Sequence, residues 1–429
     1  MSNKRRLWLI FGPVLCAIIL LVIVFLIPWD RTFSKNTVYE AANSQTQTVF
    51  KGVKMKQEAF DDKYVPFYGS SELSRFDPLH PSVLAEKYHR NYRPFLLGGP
   101  GSQSLAQFIG MQGTSKELKD KKAVVIISPQ WFTKRGQNPQ AFSLYYSPLQ
   151  TCMFLLNAKN NETDRYAAKR IAQMPAVKSN LIRNNLIKIA HGQKISDFDR
   201  FLLQKREQML ANEDNFFSSF QMKDRVDLIH KRAQLLPDKY SVKALEKVAN
   251  EQGEMHTNSN NLGIDNTFYR NRLPKKVLKK LKGSQKNFDY TKSPEYADFE
   301  LMLNQFAEQH TNVLFIIPPV NEKWAHYTGL NRDMYQKSVD KIENQLTKQG
   351  FMNILDLSHD GKKKYFMTDT IHIGWRGWIE VDKAMQKFMQ IPNKPYNYDM
   401  SNYYYSKKWQ NTTDVKNLNL ADKDNLKER

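Results

Sequence analysis

The chain has 429 residues with 41% hydrophobic and 12% aromatic content, enough apolar material for one large core or two modest ones, which excludes a disordered chain. Lys and Arg number 64 against 43 Asp and Glu, and the formal charge of +21 favours polyanions or an anionic surface: nucleic acid, lipid headgroups or phosphate-bearing wall polymers. The only cysteines, Cys16 and Cys152, exclude a disulfide framework and argue against a zinc–cysteine site, so core burial must hold the fold.

The first segment, 1–29, reads as a membrane anchor with a cytoplasmic N-terminus. Leu7 to Trp29 carries no charge and follows Lys4, Arg5 and Arg6; about 23 helical residues rise roughly 35 Å, enough to cross a hydrocarbon core of about 30 Å. A cleaved signal peptide is the rival reading, but no small-x-small site closes the run before Trp29. Cys16 is a poor lipid-attachment site because bulky Leu15 precedes it. Everything after the anchor would then lie outside the cell. An outward domain speaks against nucleic acid as a partner and leaves lipid headgroups and anionic polymers.

Residues 30–62 are polar and mixed, as expected of a stalk, and the globular part is expected to span 63–393. Short apolar runs bounded by turn residues recur at Val65 to Tyr68, Phe95 to Leu97, Ala123 to Ile127, Val313 to Ile317 and Asn353 to Leu357. They read as buried parallel strands. Helical stretches lie between and after them, at Ser102 to Met111, Tyr296 to Gln309, Arg332 to Gln349 and Trp375 to Met389, so the alternation predicts an open α/β sheet. A long stretch of about 140–292 interrupts the pattern and reads as a mostly helical insertion. Within it, Arg270 to Lys286 holds eight Lys or Arg and no acid. A solvated helix face is the commoner role of such a run; a platform for phosphates or headgroups is the functional one. From Lys394 the chain turns polar and tyrosine-rich, and 394–429 is expected to be a loosely held tail.

Two segments carry the candidate chemistry. In Phe67-Tyr68-Gly69-Ser70-Ser71-Glu72-Leu73 an apolar strand ends at a glycine with serines directly behind it, and reactive groups in α/β sheets sit at strand carboxyl ends. In Met367-Thr368-Asp369-Thr370-Ile371-His372, Asp369 and His372 stand two residues apart before a predicted helix. Such a turn can bring the carboxylate to one imidazole nitrogen and leave the other for a hydroxyl. Serine needs that base, because its hydroxyl is a poor nucleophile at neutral pH. Taken alone, a serine after a strand is commonplace, and a histidine before a helix more often caps or packs. Metal ligation is a weaker reading, since no further His or Cys lies at ligand spacing.

Taken together, glycine-serine after the first strand and Asp-x-x-His before the last helix resemble the pattern of the SGNH, or GDSL-type, hydrolase superfamily. Leu97-Gly98-Gly99-Pro100-Gly101-Ser102 resembles its second block, with Gly101 matched to the oxyanion glycine. Ile127-Ser128-Pro129-Gln130-Trp131-Phe132 falls at the third block, with Gln130 where the superfamily places an asparagine. Tyr-Gly-Ser-Ser-Glu-Leu, Ile-Ser-Pro-Gln-Trp-Phe-Thr and His-Ile-Gly-Trp-Arg-Gly-Trp, behind an N-terminal anchor, further resemble the DltD family of teichoic acid D-alanylation in Gram-positive bacteria.

The resemblance implies a flavodoxin-like sheet and an extracellular serine acyltransferase that passes D-alanyl groups to lipoteichoic acid through an acyl-serine, without cofactor or metal. The superfamily's Gly-Asp-Ser pattern makes Ser71 the nucleophile. His372 is then the general base, Asp369 its orienting carboxylate, and Gly69 and Ser70 support the turn. Ser71, Gly101 and Gln130 would supply oxyanion donors. Implied partners are a membrane-bound O-acyltransferase, a small membrane peptide and the D-alanyl carrier protein. A surface esterase or thioesterase with the same triad, and a non-catalytic scaffold recruiting the carrier protein, are the alternatives.

Overall fold

The computed structural model describes residues 3–26, 31–220 and 222–417. Its centre is a five-stranded, wholly parallel sheet of β1 (Tyr64–Tyr68), β2 (Arg93–Leu97), β3 (Lys122–Ile126), β4 (Asn312–Ile317) and β5 (Ile354–Asp356), in the order β2-β1-β3-β4-β5. The register pairs Phe67 with Leu96 on one side of β1 and with Val124 on the other. This is the doubly wound order in which the chain reverses direction between β1 and β3, opening a crevice at the strand carboxyl ends.

The strands form where apolar runs can be buried on both faces. Successive side chains point to opposite sides. Phe67, Leu96, Val124, Ile126, Leu314 and Ile316 enter one core, whereas Tyr68, Phe95, Leu97, Val125, Phe315 and Ile317 enter the other. The first core is closed by the helices Pro81–Lys87, Val226–Ala233, Val242–Thr257 and Trp375–Gln390, the second by Ser104–Met111, Glu295–Glu308 and Arg332–Thr347. A fully buried aromatic such as Phe95 contributes roughly 2–3 kcal/mol of burial.

Two expectations differ from the fold. The segment 30–62 is not an extended polar stalk: it forms the helices Lys35–Ser44, Gln47–Lys51 and Lys54–Asp61, which bury Ala41, Ala42, Val49, Phe50, Met55 and Phe60 against the sheet. Its apolar residues recur at helical rather than strand spacing, and the intervening polar residues disguise them. The tail is likewise docked as far as it is described. Tyr398 stacks on Phe351 with ring centroids 3.8 Å apart, and Tyr404 and Trp409 are fully buried. Lys341, buried beneath this segment, donates to the carbonyls of Thr291 (2.8 Å), Trp409 (2.6 Å) and Thr412 (2.8 Å) and lies 3.9 Å from the centroid of the Tyr296 ring. The remainder of the predicted tail, 418–429, lies outside the described residues.

The stretch 140–292 is helical, from Pro148–Asn157 to Lys275–Leu281, as its composition predicts. At the N-terminus a helix runs over Asn3–Leu26 with Leu7, Trp8, Ile10 and Phe11 exposed. Among the described residues no helix is long and apolar enough to cross a membrane. The apolar run read as an anchor continues into 27–29, outside the described residues.

Candidate active site

β1 ends at Tyr68, and the chain turns at Gly69 and Ser70 into a short 3-10 helix that begins with Ser71. The turn is fixed by hydrogen bonds from every side. The Ser70 N–H donates to Oε1 of buried Glu72 at 2.6 Å, and the Ser70 hydroxyl donates to the Gly99 carbonyl at 3.0 Å. The Gly69 carbonyl accepts from Nε2 of Gln107 at 2.6 Å and from the Ser102 hydroxyl at 2.8 Å. A Cβ on Gly98 would collide with the Gly69 carbonyl, so the loops after β1 and β2 can meet only with glycine there.

Asp369 and His372 come from the loop before Trp375–Gln390. Met367 and Ile373 pair as an antiparallel bridge, and the Thr368 N–H donates to the His372 carbonyl at 2.9 Å, so the intervening residues form a tight closed loop. The loop is pinned from outside by the Asp265 N–H on the Thr368 carbonyl (2.7 Å) and the Asn321 N–H on the Thr370 carbonyl (3.1 Å). Asp369 is fully buried, and its Oδ1 accepts from the N–H groups of Ile371 (3.1 Å) and His372 (3.2 Å).

Across the crevice, the Ser71 hydroxyl lies 2.7 Å from Nε2 of His372, while Nδ1 of the same ring lies 2.8 Å from both carboxylate oxygens of Asp369. Residues separated by 301 positions in sequence are thereby joined in one hydrogen-bonded row. Burial alone would raise the Asp369 carboxyl; the adjoining His372 and the Arg75 guanidinium outweigh it and hold that carboxyl below its ordinary range. Glu72 responds oppositely. Its burial dominates over the nearby His372 and the Ser70 N–H, so its carboxyl is raised.

The remaining predicted site residues cluster around the same end of the sheet. Gly101 has φ +80° in the turn after β2, and a Cβ there would lie 2.6 Å from that of Ala141. No hydrogen bond from the N–H of Ser71 or of Gly101 is found among the described residues, so both donors are open. Gln130 sits half-buried in the 3-10 turn Pro129–Trp131, which Gln103 holds by donating to the Trp131 carbonyl at 2.7 Å.

Arg75 and Glu72 were missed in the sequence. Arg75 places a guanidinium nitrogen 3.1 Å from Oδ2 of Asp369 and stands over the ring of Phe268, 5.7 Å from its centroid. A cavity of about 190 Å³ opens on this side, between Arg75, Asp369, Phe268, His256 and Trp375, behind the carboxylate rather than in front of Ser71. The signal for Glu72 was a carboxylate directly behind the serine pair, in the first turn after β1. Arg75 left no signal, because its partner is distant in sequence and close only in the fold.

The family model described as "DltD protein" matches residues 42–390. The chain is 45% identical over 411 residues to Protein DltD of Lacticaseibacillus rhamnosus, covering 95% of this chain and 97% of that one. It is 36% identical over 386 residues to Protein DltD of Bacillus subtilis (strain 168), 88% of this chain and 96% of the other. Against Protein DltD of Staphylococcus aureus the identity is 29% over 391 residues, 90% and 97% of the two chains.

Proposed function

The chain belongs to the DltD family, and on that footing we propose that it is a serine acyltransferase of SGNH type that esterifies teichoic acid with D-alanine through an acyl-Ser71 intermediate. The observation that carries this reading is the 2.7 Å contact between the Ser71 hydroxyl and Nε2 of His372, with Asp369 on the other ring nitrogen. A carboxylate on Nδ1 selects the tautomer whose free Nε2 can accept a proton.

In the first half-reaction, Nε2 of His372 takes the Ser71 proton as Oγ attacks the carbonyl carbon of an activated D-alanyl ester. The open N–H groups of Ser71 and Gly101, with the Gln130 amide, supply donors for the tetrahedral oxyanion. One such donor is typically worth about 3–4 kcal/mol of barrier. Collapse breaks the bond to the donor's oxygen or sulfur, which leaves with the proton from His372. In the second half, a polymer hydroxyl gives its proton to His372, attacks the acyl-serine and releases the Ser71 hydroxyl. The net charge of +21 favours a phosphate polymer over water by concentrating it at the surface.

The apolar run from Leu7 to Trp29 serves in this reading as a single-pass anchor with the catalytic domain outside. A membrane-bound O-acyltransferase and a small membrane peptide deliver the donor.

The test sets Ser71→Ala beside Ser70→Ala in cells assayed for teichoic acid D-alanine, with mass spectrometry of the trapped acyl-enzyme. Alanine at 71 should abolish both the ester and the adduct, and alanine at 70 should only slow them. Normal D-alanylation with Ser71→Ala would end this assignment. Release of free D-alanine in preference to transfer would favour an esterase.

A further inference from the structure

The segment 270–286 bears eight Lys or Arg and no acid. All eight are exposed, and among the described residues none forms an ion pair. In the helix Lys275–Leu281, Lys275, Lys276, Lys279 and Lys280 stand at i, i+1, i+4 and i+5, making two adjacent rows one turn, about 6 Å, apart. Like charges at this spacing repel and destabilise the helix that carries them.

The segment is nonetheless rigidly mounted. Leu273 is buried, and Leu278 and Leu281 pack against the core. The Leu278 carbonyl accepts from the Tyr327 hydroxyl at 2.8 Å, and the N–H groups of Gly283 and Gln285 donate to Tyr327 (3.1 Å) and Thr328 (2.9 Å). At its other end it adjoins the loop that carries Asp369 and His372, since Asp265 holds the Thr368 carbonyl of that loop and Phe268 lies under Arg75.

We infer that residues 270–286 form a track for a linear phosphodiester polyanion, along which the acceptor polymer is held and led toward Ser71. This rests on the transferase reading above. Charge complementarity identifies the occupant, and the packing distinguishes it from a bilayer. A helix lying in a membrane interface must bury its apolar face in lipid, whereas the apolar face here is already occupied by the protein, leaving only Val277 at 36% exposure. Lysines, as flexible point charges without a planar fork, suit a sliding chain of phosphates better than one fixed anion.

The experiment uses the full chain in neutral detergent and fluorescent poly(glycerol phosphate), with binding read by anisotropy over a range of salt. The variant K275Q/K276Q/K279Q/K280Q should bind about tenfold more weakly, with a shallower dependence of log affinity on log salt. A control with Gln at Lys169, Lys178, Lys194 and Lys243, and a variant with Arg at the four track positions, should stay within about twofold of the parent. Ser71→Ala should bind like the parent, and acylation of Ser71 should persist in the track variant while transfer to polymer falls. Unchanged polymer binding by the track variant overturns the inference. So does a loss confined to phosphatidylglycerol vesicles, which would assign the strip to the membrane. Polymer binding that depends on the track, in a protein that never acylates Ser71, would leave the track standing and remove the transferase reading.

Discussion

Oδ2 of Asp369 lies 2.8 Å from Nδ1 of His372 and 3.1 Å from the Arg75 guanidinium, so one oxygen is shared between the imidazole and a fixed cation. Arg75 thereby helps to keep Asp369 ionised in a site whose burial opposes ionisation. Arg75→Gln should slow acylation by roughly tenfold and move the acid limb of the pH–rate profile to higher pH, because the Asp369 carboxyl is then held down less strongly. The profile of acyl-serine formation checks this positioning role. A uniform drop with an unmoved acid limb would contradict it.

Asp369→Asn isolates orientation from charge. The amide oxygen can still accept from the N–H groups of Ile371 and His372, so the loop should persist while His372 settles in the wrong tautomer. Acylation should fall by roughly 10³–10⁴, the scale of that loss in serine triads, with an unchanged melting temperature. Retention of more than a tenth of the rate would rule out the relay.

Glu72 acts on the turn rather than on the reaction. Glu72→Ala removes the acceptor of the Ser70 N–H and should cost about 1–3 kcal/mol while loosening Ser71. Glu72→Gln keeps an oxygen in place and should retain most of both. Denaturant midpoints and acylation rates of the two variants, measured together, decide it; equal effects would count against the turn-holding role.

Glu300 sets a pH dependence of stability. It is fully buried, accepts from Asn304, Gln345 and Gln349, and burial raises its carboxyl to about 8 despite those donors. A folded-state value above the unfolded one means that stability is fullest below about 4.5 and is lost as pH rises toward 8. Glu295, also raised to about 8, shares this window. Glu300→Gln, which stands in for the protonated form, should therefore flatten, without abolishing, the decline in stability between pH 5 and 8 in urea titrations.

How much of this was legible in the sequence depends on whether a signal was local. The strands were readable because β3 and β4 each carry an apolar run of at least four residues, and Ser71, Asp369 and His372 stood out as candidates because each sits in a short, unusual word at a strand or helix boundary. Arg75 was not, since only the fold brings Phe268 and Asp369 to it. The helices of 35–61 were hidden by polar residues on their outer faces, and the docking of Trp409 by a composition that looks solvated until Lys341 is placed beneath it.

That placement of Lys341 bears on what loss of the covering segment would do. Two of the carbonyls that surround its side-chain nitrogen come from Trp409 and Thr412, far from Lys341 in sequence. Without them the buried nitrogen keeps the Thr291 carbonyl at 2.8 Å but loses its other acceptors, at a cost of about 1–3 kcal/mol. Cleavage of the chain ahead of Trp409 should therefore uncover Lys341 and the Tyr296 ring and leave an open seam that proteases can recognise.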